Sequence, residues 1–192
     1  MVAAPDEKGE FTLNGLAAGR FRIKVDLPDD GWYIRAITQP ASGAEKNPAD
    51  ASRNGITVKS GEKLSGVEAF IADGAASLNG RVVPANEGSK LPSRLRVHLI
   101  PAEVTAADDV IRYAETAVRG DGSFDFKHIA PGKYLLHTRQ AVEKDANDDH
   151  ARPIVWDSAE RAKLRREAEA AKNEIELKSC ERVKDHILRR QP

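Results

Sequence analysis

The chain has 192 residues, 40 % hydrophobic and 31 % charged, which suits one large domain or two small ones with a hydrated surface. Thirty Lys and Arg balance thirty Asp and Glu, and this neutrality argues against a nucleic-acid partner or an acidic membrane surface, since both attract concentrated basic charge. No apolar run approaches the ~20 residues that cross a bilayer, so we predict no membrane span.

The first predicted element is a β-hairpin in "GEFTLNGLAAGRFRIKV" at residues 9–25. Phe11 and Leu13 alternate with polar residues, which is the two-residue period of a half-buried strand. The segment "AAGR" supplies a turn, and the return strand puts Phe21 and Ile23 on one face. Because one face is apolar and the other polar, the hairpin is expected to pack on a second sheet.

Two more strands are predicted before residue 75, "WYIRAI" at 32–37 and "GVEAFIA" at 66–72. Trp32 and Tyr33 are adjacent, so one is expected to face the core and the other the surface. These two aromatic residues are the candidates for stacking against a ligand such as a sugar ring.

The phrase "GSFDFKHIAPGKYLLHT" at 122–138 repeats the first one without a gap, at an offset of 113 residues that carries Gly9 onto Gly122 and Phe11 onto Phe124. It predicts a second hairpin. Its turn contains Pro-Gly, in which Pro presets φ and Gly accepts a positive φ, as in a type II turn.

Other short β-prone runs surround this copy: "SLNGRVV" at 77–83, "LRVHLI" at 95–100, "VIRYAETAV" at 110–118 and "NEIELKS" at 173–179. In "LRVHLI" the three apolar residues at alternate positions predict a core face, and Arg96 and His98 are expected on the solvated face. Many short strands between turn-rich spacers are typical of an all-β sandwich.

The repeat therefore predicts an all-β fold of two tandem Ig-like or prealbumin-like β-sandwich modules, residues 1–74 and 75–180. The counterpart of Ser77 would lie 113 residues earlier, ahead of Met1. We accordingly expect the first module to be N-terminally truncated, as in a fragment of a longer protein. The alternative is a reduced first module that packs directly on the second.

One short helix is predicted near the C-terminus, at 157–172. Asp157 can cap it, and Glu160 completes a capping-box pattern. Helical spacing gives an apolar face of Leu164, Ala168, Ala171 and Ile175. The opposite, solvated face is expected to hold Arg161, Arg165, Arg166 and Glu169. Such a helix would lie across a sheet edge; a partner-binding helix is the alternative.

The stretch from Lys178 to Arg190 is the most basic of the chain. A solvated tail explains it better than a binding patch, and residues 181–192 are predicted to be a C-terminal tail. Cys180 is the single cysteine, which excludes an internal disulfide, and we interpret it as a structural bystander.

Sequence motifs give no catalytic residue, metal site or cofactor site, so we do not predict an enzyme. None of the histidines has zinc-ligand spacing: His98, His128, His137, His150 and His186. The segment Asp145–Asp149 has oxygen ligands at alternate positions, as calcium loops do. A plain acidic loop is favoured there, because His150 stands where an EF-hand turn needs Gly.

The stretch "GDGSFDFKHIAPGKYLLHT" resembles carboxypeptidase regulatory-like domains, which are prealbumin-like (transthyretin-like) sandwiches related to Cna-B and starch-binding-like folds. The resemblance covers roughly residues 9–38 and 66–180. It implies a non-catalytic spacer, presentation or protein-interaction module of a bacterial extracellular or cell-envelope protein, with an unidentified protein or cell-surface partner. A carbohydrate-binding accessory module is the alternative. We match no Lys, Asn and acid set to the Lys–Asn cross-link of Cna-B domains, so the cross-link is not carried over to this chain.

Overall fold

The computed structural model describes residues 2–41, 47–86, 88–141 and 156–190. These residues form twelve strands in four sheets. The molecule is therefore mostly β, as predicted, with one helix of several turns near the C-terminus. Within the described ranges no helix combines the length and the apolar character needed to span a membrane.

The chain divides into two compact units that do not follow its order. Unit 1 comprises residues 1–24 and 37–68, and unit 2 comprises residues 25–36 and 69–192. The boundaries given above for two tandem modules remain a prediction.

Unit 1 contains a small antiparallel ribbon, in which β1 (Gly19–Phe21) pairs with β4 (Ile56–Val58). The short helix α1 (Ala51–Asn54) precedes β4, and the carboxylate of Asp50 caps it by accepting hydrogen bonds from two backbone amides. A two-stranded ribbon of this size is marginally stable by itself.

A three-stranded sheet has the order β3-β2-β5. Its strands are β2 (Trp32–Gln39), β3 (Ala49–Asp50) and β5 (Glu68–Asp73). On the edge strand β5, Phe70 and Ile71 are 45 % and 40 % exposed. Both predicted strands of this region therefore exist.

Unit 2 is built on two stacked sheets. Sheet A has the order β11-β10-β7-β8 and sheet B the order β12-β6-β9. The strands of sheet A are β7 (Leu95–Pro101), β8 (Ala114–Ala117), β10 (Gly132–Gln140) and β11 (Glu174–Leu177). The strands of sheet B are β6 (Ala76–Val83), β9 (Ser123–Ile129) and β12 (Arg182–Arg189).

The main core of unit 2 lies between these sheets. Sheet B contributes Leu78 and Phe124, and sheet A contributes Val97, Leu99 and Leu136, all exposed by 1 % or less. The predicted core face of "LRVHLI" is confirmed. Burial of apolar surface at roughly 25 cal/mol per Å² is the main force that holds the two sheets together.

A helix covers the other face of sheet A. It is α2 (Ser158–Ala171), which begins at its cap Asp157 and ends where Lys172 takes the left-handed conformation. The predicted helix and its capping residue are confirmed. Leu164 and Ala168 of α2 form a second buried cluster with residues of sheet A, including Leu135.

The predicted solvated faces of α2 and β7 are wrong at three residues. Arg161 is 4 % exposed, His98 is 2 % exposed, and the side chain of Arg165 is 11 % exposed. Ile175, predicted on the apolar face of the helix, belongs instead to β11, which confirms the strand predicted at 173–179. The reason is the third layer: a two-residue period separates the faces of a strand, but it does not reveal whether a helix covers the second face.

The hairpin interpretation of the repeated phrase is wrong in the second copy. β9 pairs with β6, whereas β10 pairs with β7 and β11, so consecutive strands lie in opposite sheets. The chain crosses between sheets at residues 130–131. Phe124 of β9 and Leu136 of β10 then contact one core from two sides. Alternating residues fit this crossing as well as they fit a hairpin.

The first copy does not form the predicted strand around Phe11. Residues 9–18 are irregular, and Phe11 is half-buried, whereas Phe124 is buried in β9. In the second copy β9 is held by β6; among the described residues, no strand of unit 1 pairs with residues 9–18 in that way. Without such a partner the backbone ladder does not form.

The turn ahead of each phrase does recur. Residues 6–10 and 119–123 each close with two backbone hydrogen bonds, both 2.9 Å long in both copies, from the first amide to the fifth carbonyl and from the fourth amide to the first carbonyl. The fourth residue, Gly9 or Gly122, has φ of +81° or +86°. The repeat therefore fixes the same local turn twice.

The segment predicted as a C-terminal tail contains β12, which pairs in parallel with β6 and buries Leu188. A β-bulge between Val183 and His186 shifts the inward-facing positions. The bulge interrupts the two-residue period of apolar residues. The sequence therefore shows a basic segment without the alternation that predicts a strand.

Candidate functional site

A depression of about 320 Å³ opens on sheet B. It is lined by Asn79, Gly80, Arg81, Arg119, Ser123, Phe124, Asp185 and Ile187. Asn79 and Arg81 alternate on β6 with the core residues Leu78 and Val82, so they face away from the core. The volume is at the lower end of the roughly 300–1,000 Å³ of small-molecule pockets.

The β-bulge of β12 shapes this depression. Asp185 lies in the bulge with φ of +58°, a conformation uncommon for a residue with a side chain. Gly80 makes room beside it, because a Cβ there would come within 2.5 Å of the His186 carbonyl oxygen and 2.6 Å of the Phe124 ring. The bulge presents Asp185 and the 54 % exposed Ile187 beside β6.

Some polar residues of the depression are occupied within the fold. Arg119 forms an ion pair with Asp125, and Asp121 accepts hydrogen bonds from the backbone and hydroxyl of Ser123 at 2.9 and 2.7 Å. These hydrogen bonds lower the pKa of Asp121.

Three other side chains of the depression remain available. Within the part of the chain that the structure describes, the side chains of Asn79, Arg81 and Asp185 make no hydrogen bond or ion pair, although the charge of Arg81 helps to lower the pKa of Asp121. An amide, a cation and a carboxylate next to an aliphatic side chain can recognise a polar ligand. They supply no nucleophile beside a base, which is the arrangement that covalent catalysis needs.

A second cavity, of about 80 Å³, adjoins Tyr134 and Arg112. It is too small for a typical ligand. The Tyr134 hydroxyl donates to the Ala130 carbonyl at 2.6 Å, and the Arg112 guanidinium lies 5.0 Å from the Tyr134 ring centre and 3.2 Å from the Glu103 carboxylate. Burial raises the pKa of Tyr134. These contacts hold the crossing between β9 and β10.

A row of titratable residues lies on the helix-facing side of sheet A. His98 is directly opposite His137 on one neighbouring strand and Glu115 on the other. The His98 Nδ1 atom is 3.5 Å from the Glu115 carboxylate, and His137 Nε2 is 3.5 Å from that of Glu167. Burial lowers the pKa of His98 to about 3, so its contact with Glu115 is not an ion pair at neutral pH.

The predicted ligand-stacking pair is not brought into this depression. Trp32 and Tyr33 lie on β2, both half-buried, and the Trp32 carbonyl is 3.0 Å from Nδ1 of His128. Their role in stacking remains a prediction.

Within the described ranges, no three His, Cys, Asp or Glu side chains are grouped closely enough to hold a metal ion. The loop Asp145–Asp149 and His150 lie outside those ranges. Cys180 is exposed, in a turn with φ of +60°.

Sequence reasoning missed Asn79, Arg81 and Asp185. The two residues of β6 occupy the polar positions of a strand that was recognised, so their spacing indicated only an outward face. Asp185 was assigned to the tail. Val183 and Leu188 are apolar positions within that segment and were the available signal for a strand.

No protein-family model and no curated protein sequence matches this chain. Among solved structures it is similar to the Bacillus anthracis TIE protein, with 14 % sequence identity and a TM-score of 0.34. The match covers 72 % of this chain and 24 % of that one, so the chain spans about a quarter of that protein's length. A similarity at this level carries no argument about function.

Proposed function

We propose that this chain is a non-catalytic β-sandwich module that spaces or presents neighbouring parts of a bacterial extracellular or envelope protein and contacts other proteins. The observation that carries the proposal is that long polar side chains of unit 2 form hydrogen bonds to backbone carbonyls and so connect its sheets and helix. Arg165 of α2 donates to the Pro101 carbonyl at 2.7 Å, and Tyr134 donates to the Ala130 carbonyl. Groups committed in this way build a rigid scaffold.

The finer assignment, two tandem prealbumin-like modules of the carboxypeptidase regulatory-like type, is part of this proposal. The seven strands of sheets A and B correspond to one module. The turn that recurs at residues 6–10 and 119–123 supports a common origin for residues 9–25 and 122–138. The extracellular or envelope location rests on the family resemblance.

The test of a scaffold role is a search for turnover. The intact chain is assayed against panels of ester, peptide and glycoside substrates, beside H98Q and H137Q. We expect no turnover above buffer in any of the three. Turnover by the intact chain that either substitution abolishes would overturn the proposal.

Carbohydrate binding is the second candidate, and the depression on sheet B favours it. Sugar hydroxyls both donate and accept hydrogen bonds, which suits the amide of Asn79 and the charged groups of Arg81 and Asp185. A glycan array probed with the intact chain, N79A and D185A is the test, with W32A reporting on the stacking pair. Binding that is lost in N79A and D185A but kept in W32A would support a carbohydrate site at the depression. If the intact chain retains no glycan, this candidate is excluded.

A further inference from the structure

The first and last strands of the sandwich are neighbours that run in the same direction. β6 opens the sandwich and β12 closes it, and the two pair in parallel, with β6 central and β12 at the edge of sheet B. The pairing extends from Ser77 beside Arg182 to Val83 beside Arg189. A force that pulls on the chain at the two ends of the sandwich therefore acts on this pair of strands.

Backbone hydrogen bonds extend the ladder at both ends. The Ser77 amide donates to the Glu181 carbonyl at 2.9 Å, and the Arg190 amide donates to the Val83 carbonyl at 2.9 Å. Beneath the ladder, core side chains anchor both strands: Leu78 and Val82 on β6 and Leu188 on β12 are exposed by 2 % or less. Water is thus kept from one side of the ladder.

The direction of the two strands decides how force acts on them. A pull on the start of β6 and on the end of β12 moves the strands past each other along their length. The bulge divides the ladder into two groups of bonds. Bonds of a parallel pair are evenly spaced and slanted across the strands, so the bonds within each group are sheared together. A pull on the two adjacent starts would instead open the bonds one after another from one end.

We propose that β6 and β12 form a load-bearing clamp, which lets the sandwich transmit tension along the polypeptide without unfolding. This use of the clamp rests on the spacer role proposed above. The resistance itself follows from the parallel pairing alone. The force that unfolds a protein depends on the barrier along the pulling direction. That force can therefore be high even when the free energy of unfolding is ordinary.

The test is single-molecule pulling on the full chain through paired cysteine handles. D73C/R189C in a C180S background pulls the end of β5, just ahead of the start of β6, against the end of β12. D73C with the native Cys180 pulls the same point against the residue just ahead of the start of β12. The three attachment residues are exposed, so labelling does not disturb the core.

At one loading rate, we expect the first handle pair to require an unfolding force several times that of the second. Urea unfolding of both labelled proteins is the control, and equal free energies assign the difference to the direction of pulling. Equal forces in the two directions would overturn the clamp and leave the scaffold proposal standing. Catalytic turnover would overturn the scaffold proposal and leave the clamp.

Discussion

At the scale of single residues, His98 couples folding to pH. Burial, together with the nearby positive charges of His137, Arg139 and Arg96, lowers the pKa of His98 from 6.5 to about 3. The unfolded chain gains a proton at this residue below about pH 6.5, and the folded chain does not. Stability from this group is therefore lost as the pH falls from about 6.5 toward 3.

Replacing His98 with Gln should remove that dependence. Between pH 7 and pH 5.5, the free energy of unfolding of the wild type should fall by about 1 kcal/mol more than that of H98Q. Urea unfolding at the two pH values measures the difference. If the free energy of unfolding falls equally in both proteins, His98 takes up its proton in the folded chain over the same pH range as in the unfolded chain.

Tyr134 is a second residue whose polar atom has a defined structural task. In Y134F the partly buried Ala130 carbonyl loses its donor, which should lower the free energy of unfolding by about 1–3 kcal/mol. Y33F is the matched control, because the Tyr33 hydroxyl makes no hydrogen bond in the described part of the chain. Urea unfolding in which both variants match the wild type would contradict this role.

At the scale of secondary-structure elements, two adjacent arginines of α2 differ sharply. Arg165 donates to the carbonyls of Pro101 and Ala102, whereas Arg166 is exposed and makes no hydrogen bond in the described residues. R165M keeps most of the apolar stem and should lower the free energy of unfolding by about 1.5–3 kcal/mol. R166M should change it by less than about 0.5 kcal/mol. Equal effects in urea unfolding would mean that the Arg165 contacts do not hold α2 on sheet A.

Elements with regular alternation or a clear cap were predictable from the sequence. β7 alternates apolar and polar residues from Leu95 to Leu99, and α2 begins at the predicted Asp157. Strand partners were not predictable, because the alternation of β9 and β10 is the same in one sheet or in two. The bulge near Asp185 hid β12, and the covering of His98 depends on a helix 60 residues later in the chain.

The candidate site was harder to predict than the fold for the same reason. The depression joins β6 to β12, which are separated by most of unit 2 in sequence. Only the parallel pairing brings Asn79 and Arg81 beside Asp185 and Ile187. A local pattern carries no information about that pairing.

At the scale of the whole molecule, the two units should differ in local stability. Both large hydrophobic clusters of the described residues belong to unit 2, whereas the β1–β4 ribbon of unit 1 has three residues per strand. Amide hydrogens of β4 should exchange at least about a hundred-fold faster than those of β7 and β10. Hydrogen exchange measured by NMR gives these rates. Equal protection would mean that unit 1 opens only when unit 2 unfolds.

The central claim is that residues 122–138 cross between two stacked sheets. Backbone nuclear Overhauser effects in solution test it most directly. They should connect Leu136 with Leu99, and Phe126 with Leu78, because those residues are paired in sheets A and B. A continuous ladder joining residues 123–129 to residues 132–140 would show a hairpin in one sheet and contradict the fold described for unit 2.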